Sequence, residues 1–353
     1  GIENIRLESA FASDSDENHG KTAVSLKRVS NGWVRQVTAK YFWYGAVSIN
    51  SRSSHITVED SAMLEHKGSL SGGRRYSFNI DDSDFILMQR CLTFDGRHDF
   101  VSGSRTPGPN TFVDSNAMEA NADTGPHHRY ATGQLYDNIK VVETPTREGE
   151  IRVRNRGSSG SGHGWSGAQI MFWNTFGEII CEAPNGAMNW SVGNVGTKDN
   201  SATFIEPDGI IQSTNAPVTP RSLYYAQLQD RMGKNALHAI MLPAQKTGDV
   251  WDDLESWYGE GVFLDPVVAW VDEETIPVVG VPLEIGGNVR DLTLLGNDPI
   301  YAWSMVSGPG SVTFGDDGAL DTTASFSASG TYELDLLVSD GLTLASTTVE
   351  VVV

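Results

Sequence analysis

Cysteine is nearly absent from this chain of 353 residues: Cys91 and Cys181 are the only two. A disulfide framework is thereby excluded, and the spacing of a cysteine-based metal site is missing. Two thiols leave room for one bridge, but free cysteine is among the most often buried side chains, so two packed thiols are expected. No apolar run approaches the about 18 residues that a membrane-spanning helix requires. Helix-forming stretches are scarce as well. Only AMLEH (62–66), LYYAQLQDRMG (223–233) and DVWDDLESWYG (249–259) invite a helix. Base is in short supply: 25 Lys and Arg stand against 45 Asp and Glu, a net charge of −20. Such a surface disfavours nucleic acid and membrane insertion, and it suits a secreted, extracellular or cell-surface setting. The chain opens on Gly1 with neither Met nor signal peptide, and it reads as a mature or trimmed piece.

What is abundant is glycine, at 37 residues, together with Ser, Asn, Asp and Thr. That composition predicts an all-β protein rich in turns. A unit of turn, short apolar/polar alternation and turn recurs in NGWVRQVTAK (31–40), SHITVEDSAM (54–63), DFILMQRCLTF (84–94) and NTFVDSNAME (110–119). It returns in GQLYDNIKVV (133–142), GEIRVRNRG (149–157) and AQIMFWNTFG (168–177). Unit starts lie 16 to 30 residues apart, which suits a solenoid whose coils add short strands to parallel sheets. Alternation puts Val34, Ile56, Val58, Ile86 and Met88 inward and Arg35, Thr57, Glu59 and Gln89 outward. Residues 195–264 lose the rhythm and are expected to cap the end of the solenoid, giving a first domain over 1–264. From 275 to 353, short strands with turn signals every 8–12 residues predict a small β-sandwich.

Charge separates the two parts. Residues 66–165 hold 12 Lys and Arg, 12 Asp and Glu, and 5 of the 8 histidines, whereas 265–353 carry 14 acidic residues and one base, Arg290. Within the neutral part, GGRRYSF (72–78), DGRHDFVSG (95–103), TGPHHRYATG (124–133) and SGHGWSG (161–167) place His, Arg and aromatic residues beside glycines. The steps from Arg75 to His98, His127 and His163 are 23, 29 and 36 residues, roughly one coil each, so these side chains can share a groove along the stack. On a strand, adjacent residues face opposite ways, so at most one of His127 and His128 is expected in a given groove. Arg152, Arg154 and Arg156 share one strand face and read as a solvated ladder, with a polyanion-attracting groove floor as the other reading. DSDEN (14–18) and DDSD (81–84) read as solvated turns rather than calcium loops; no metal ligand set is assigned, and Ca²⁺ is left open as a cofactor. His19, His55 and His66 are isolated and read as structural or solvent-facing. SGGRRYS lacks the strand, helix and Lys-Ser/Thr of a phosphate loop.

The strings GPHHRYATGQLYDNI (125–139), NRGSSGSGHGWSGAQIMFWN (155–174) and PNGAMNWSVG (184–193) resemble secreted bacterial right-handed parallel β-helix proteins of the pectate-lyase-like superfamily, over about residues 20–235. Trp303, the SGPG turn (307–310) and SGTYELDLLVSDG (329–341) resemble the PKD-like, immunoglobulin-like modules of secreted proteins, which space or attach rather than catalyse. The resemblance implies a β-helix that acts on or binds a polysaccharide. Lyase chemistry on a uronic-acid polymer needs a cation to neutralise the carboxylate, a base for the neighbouring C–H and an acid for the leaving oxygen. Arg75, Arg97 and Arg129 supply the first; His98, His127 or His128 the second; Tyr76 or Tyr130 the third. His163, Trp165 and Trp173 are placed as substrate contacts. Glycoside hydrolysis would need two facing carboxylates, for which Asp95, Asp99, Asp123 and Asp137 are available without a distinguishing spacing. The reading adopted is a polysaccharide lyase, the alternatives being a non-catalytic adhesion or filament-forming β-helix and a hydrolase on the same fold. Self-assembly or surface attachment through the second domain is part of that expectation.

Overall fold

The computed structural model describes residues 1–143, 149–199, 206–242, 245, 248, 250–263, 267–272, 275–289, 299–339 and 344–353. It is all-β, and it divides into two compact units: Gly1–Arg231 with Thr247–Phe263, and Met232–Lys246 with Leu264–Val353. The segment 232–246, read from sequence as part of the first domain, therefore groups with the second. Arg290 lies outside the described residues. Among the described residues, no helix is long and apolar enough to cross a membrane.

In the first unit the chain alternates between two parallel sheets. The odd strands β1 (Ile2–Glu8), β3 (Ser30–Lys40), β5 (Ser54–Leu64), β7 (Asp84–Phe94) and β9 (Asn110–Ala120) stand side by side in one. The even strands β2 (Thr22–Lys27), β4 (Gly45–Asn50), β6 (Tyr76–Ile80), β8 (His98–Ser102) and β10 (Gly125–Pro126) do the same in the other. The first sheet continues through the strands Gln134–Glu143, Met171–Trp173, Trp190–Val192 and Ile210–Gln212 to nine strands. One apolar cluster fills the space between them, with Val34, Val58, Met88 and Phe112 from the long sheet and Val47, Phe78 and Phe100 from the other. The rings of Phe78, Phe100, Phe112, Tyr136 and Phe172 follow one another at centroid distances of 5.7, 6.1, 5.0 and 5.3 Å. Parallel strands buried on the inner face need such continuity, because no single turn of the chain closes a core by itself. The AMLEH stretch is no helix: Ala62–Leu64 finish β5, buried against that core. Cys91 and Cys181 are free, buried thiols, and burial pushes Cys181 up to about 12.

The long strands bend at one register position. Asn4, Gln36, Asp60, Arg90, Asp114, Asn138 and Asn174 are successive cross-strand neighbours, and each has φ between 47° and 53°. Asn and Asp tolerate this left-handed conformation best among residues with a side chain, which accounts for five of the seven. Arg90 is held there by Asp60, with Nε to Oδ1 at 2.6 Å.

The same column anchors the stretch expected to cap the end. Within it Ile210–Gln212 joins the nine-stranded sheet as a strand, and 217–231 and 250–263 run over the outer face of that sheet. Arg221 forks onto Asp114 at 2.7 and 2.8 Å, Asn174 exchanges hydrogen bonds with Val218 at 2.7 and 2.8 Å, and Gln36 does so with Phe263 at 2.9 and 3.0 Å. Helices Leu223–Met232 and Trp251–Trp257 form where the sequence invites them. Tyr225 donates to Gln89 at 3.0 Å, and Glu255 takes bonds from Asn116 and Lys140 at 2.7 and 2.8 Å. Gln89, expected outward and wet, is fully buried beneath this strap. The face is polar because it meets hydrogen-bonding partners, not water.

In the second unit the strands Val267–Val271, Leu283–Val289, Val312–Phe314 and Thr322–Phe326 form an antiparallel sheet. The strands Ile300–Ser307, Thr331–Ser339 and Leu344–Val352 form a second. Both sheets contribute to one core containing Trp303, Phe326, Tyr332 and Leu336.

Candidate functional site

Four of the histidines singled out from sequence come together at one end of the even sheet. His98 opens β8 beside Tyr76, which opens β6, and its ring meets Tyr76 edge-on at 4.7 Å. His127 follows β10 and stands 4.0 Å from His98, measured between ring centroids. His128 and His163 complete the row at 5.2 and 5.3 Å from His127 and 4.9 Å from each other. Strand alternation does not separate His127 from His128, because β10 is only two residues long. Beyond it the chain turns, with Arg129 and Tyr130 at φ of 57° and 67°. Both imidazoles therefore join one row.

Beneath the row lies Asp123, without exposed surface. It accepts from His98 Nδ1 at 2.9 Å, from His127 Nδ1 at 3.2 Å and from Arg152 Nη2 at 2.6 Å, while Arg152 also holds Glu150 at 2.6 Å. Arg156 places Nη1 within 2.9 Å of His127 Nε2 and donates to the His127 carbonyl at 2.8 Å. The solvated ladder expected of the three arginines is therefore wrong. Arg152 and Arg156 reach back across 29 residues onto Asp123 and His127, and Arg154 is buried. The sequence carried a signal for this in equal steps of 29 residues from Asp123 to Arg152 and from His127 to Arg156.

Burial and these cations set the protonation states. Burial, assisted by Arg156, brings His127 down to about 3 against the opposing pull of Asp123, and His163 falls to about 4 for the same leading reason. His98 and His128 are lowered by burial as well. Burial works to raise Asp123, but Arg152 and the two imidazoles outweigh it, and its carboxyl lies well below the usual range. At neutral pH the row is thus a set of uncharged bases beside permanent cations. Burial pushes Tyr76 up to about 12, so its hydroxyl keeps its proton, within reach of Arg97.

The remaining predicted residues divide clearly. Arg129 lies along the row, its backbone N–H bonded to His163 O at 3.1 Å and its guanidinium to Ser161. Tyr130 is exposed and hydrogen-bonded through its backbone to Trp165 at 2.8 Å, so Trp165 borders the same place. Arg97 donates to Gly72 O. His98 has no exposed surface, so it supports the row and does not meet a polymer. Arg75 is likewise buried and spent on Gly68 O and Asp95, the latter at 2.6 Å, which removes it from the carboxylate-binding set. Trp173 is in the other sheet, where its indole donates to Pro220 O at 2.9 Å. His66 is buried against Ser77, His19 bonds to Ser9, and exposed His55 stacks on Phe85 at 4.8 Å.

The carboxylates offered for hydrolysis are engaged one by one. Asp95 holds Arg75, Asp99 is buried against Ser77 and Thr93 at 2.8 and 2.6 Å, and Asp137 lies under the strap, accepting from Ser222 and Tyr224 at 2.7 and 2.8 Å. Among the described residues, one group has metal-ligand geometry: His98, Asp123 and His127, with ligand atoms within 4.8 Å of one another. Two guanidinium groups stand on those same atoms, however, and supply the positive charge a divalent ion would bring. A calcium ion would also want six or more oxygens, and one carboxylate is present. In DSDEN the carboxylates are taken by Lys67, by backbone N–H groups and by Arg74. No protein-family model, curated protein or solved structure matches the chain.

Proposed function

We propose that the first unit is a right-handed parallel β-helix that works outside the cell as a polysaccharide lyase on a uronic-acid-containing glycan. The alternation of strands between two parallel sheets supports the fold reading. The observation that carries the function is the row of neutral imidazoles set among Arg97, Arg129 and Arg156. β-Elimination asks for that combination. Arg156 and Arg129 pair with the uronate carboxylate and make the adjacent C–H acidic. His128, half-buried beside His127, takes that proton, and the electron pair left behind forms the carbon–carbon double bond as the glycosidic C–O bond breaks. Tyr76 returns a proton to the departing oxygen. Asp123 fixes His127 and, through Arg152, is itself held in place. In this reading the second unit is a sandwich-like attachment module resembling PKD-like domains.

The test is incubation of the protein with pectin, alginate and glycosaminoglycans while following the ultraviolet absorbance of the conjugated unsaturated uronate. A rise that is lost in His128→Ala and Arg156→Ala supports the reading. Reducing ends without that absorbance would point to hydrolysis. No product from any polymer, with filaments visible by electron microscopy, would replace the enzyme with a scaffold.

A further inference from the structure

The ring row does not stop at Tyr76. Tyr44, immediately before β4, meets the Tyr76 ring at 5.1 Å, and Trp43 meets Tyr44 edge-on at 6.0 Å. Over these two rings lies the ammonium group of Lys21, 4.7 Å from the centroid of Tyr44 and 5.3 Å from that of Trp43. Cation–π attraction holds such a group in one place while leaving its N–H donors free for an anion. Among the described residues Lys21, like Lys27, has no ion-pair partner, although acidic residues outnumber basic ones and Lys40, Lys67, Lys140, Lys198 and Lys234 are all paired. Lys21 is exposed, and Trp43 and Tyr44 are partly so.

We propose that Lys21, seated on Trp43 and Tyr44, is a remote subsite for a carboxylated sugar of the same polymer chain that reaches the histidine row. This rests on the polysaccharide reading above and adds the ligand's length and charge. Lys21 precedes β2 and His127 follows β10, four strands apart in the even sheet, and the contacts through Tyr44 and Tyr76, at 4.7, 5.1 and 5.5 Å, set the ammonium within about 15 Å of the His127 ring. A glycan lying across the sheet must therefore extend several sugars beyond the cleavage point to touch Lys21. Short oligomers engage only the histidine row, and longer ones gain the second charge contact.

The experiment measures binding and turnover separately, on polyuronate oligomers of graded length with a neutral glucan as control. Lys21→Ala is expected to weaken binding of long oligomers about fivefold, the scale of one exposed charge contact, and to leave short ones unchanged. The difference should shrink as salt is raised. Turnover at saturation should stay as in the wild type, so the change appears in KM and not in kcat. Trp43→Phe keeps a ring under Lys21 and is expected to retain most of the affinity. Equal binding by wild type and Lys21→Ala at every length overturns the subsite, as does absence of binding to any polyuronate. Length-dependent loss of binding without unsaturated product keeps the subsite and sinks the lyase reading. Unsaturated product with an indifferent Lys21→Ala does the reverse.

Discussion

Replacing Asp123 with Asn probes the centre of the site through stability, independently of any substrate. The two side chains have nearly the same shape, but an amide offers one acceptor and one donor where the carboxylate offers two charged acceptors. Three donors converge on Asp123 at 2.6, 2.9 and 3.2 Å, so in the Asp123→Asn variant one N–H must face another. The Arg152 charge, 15% exposed, keeps Glu150 and loses its other partner. Breaking a buried pair from one side costs about 3–5 kcal/mol, and the surviving Glu150 contact puts this case near the lower end. For a unit of this size about 3 kcal/mol corresponds to a fall in Tm of roughly 6–12 °C. The assay is calorimetry of the whole protein at pH 7, following the transition assigned to the first unit. The pH dependence supplies an internal check. Asp123 has a lowered folded pKa, so its contribution is complete above the unfolded value and disappears as pH falls through the folded one. The gap between wild type and variant should thus persist at pH 5 and close only in strong acid. A variant whose Tm stays within about 2 °C of wild type at pH 7 would refute the reasoning, because no buried charge could then depend on Asp123.

Other perturbations test the parts around it. Phe112→Ala empties the middle of the interior ring stack and should cost about 3–5 kcal/mol by denaturant unfolding. Asp114→Ala strands Arg221 and loosens the strap, so trypsin should cut between residues 217 and 231 faster than in the wild type while the sheets persist. His66, brought down by burial to about 3, binds no proton in the fold where the unfolded chain does, so it makes stability rise with pH between about 3 and 6.5. His66→Gln should flatten that part of the stability–pH curve. Asp137, raised by burial to about 7, acts with the opposite sign, and Asp137→Asn should remove a loss of stability that wild type suffers as pH climbs from about 4 to 7.

Much of the architecture could be read from the chain because it rests on short-range rules. Alternation at Val34, Ile56, Val58, Ile86 and Met88 correctly gives the inner face, and the helical stretches at 223 and 251 need only local periodicity. The strap could not be read this way. Its anchors Asp114, Asn138 and Asn174 look like ordinary polar strand residues until φ is known, and their partners lie 44 to 107 residues away. The same limit explains the site. His98, His127, His128 and His163 stand out by composition, whereas Arg152 and Arg156 follow a period-two pattern that predicts solvent. Their true partners are set by which segments the parallel sheets bring side by side, and only the repeated 29-residue step hints at it. Trp173 escapes a sequence reading for a related reason: a ring suited to sugar says nothing of which sheet carries it.

In the proposed function the histidine row eliminates and does not hydrolyse. Mass spectrometry of the products from a polyuronate tests it most directly, since an eliminated chain end is lighter than a hydrolysed one by a molecule of water. Unsaturated oligomers from the wild type, absent with His128→Ala, are the predicted result. Saturated oligomers carrying the added water, or intact polymer throughout, would contradict it.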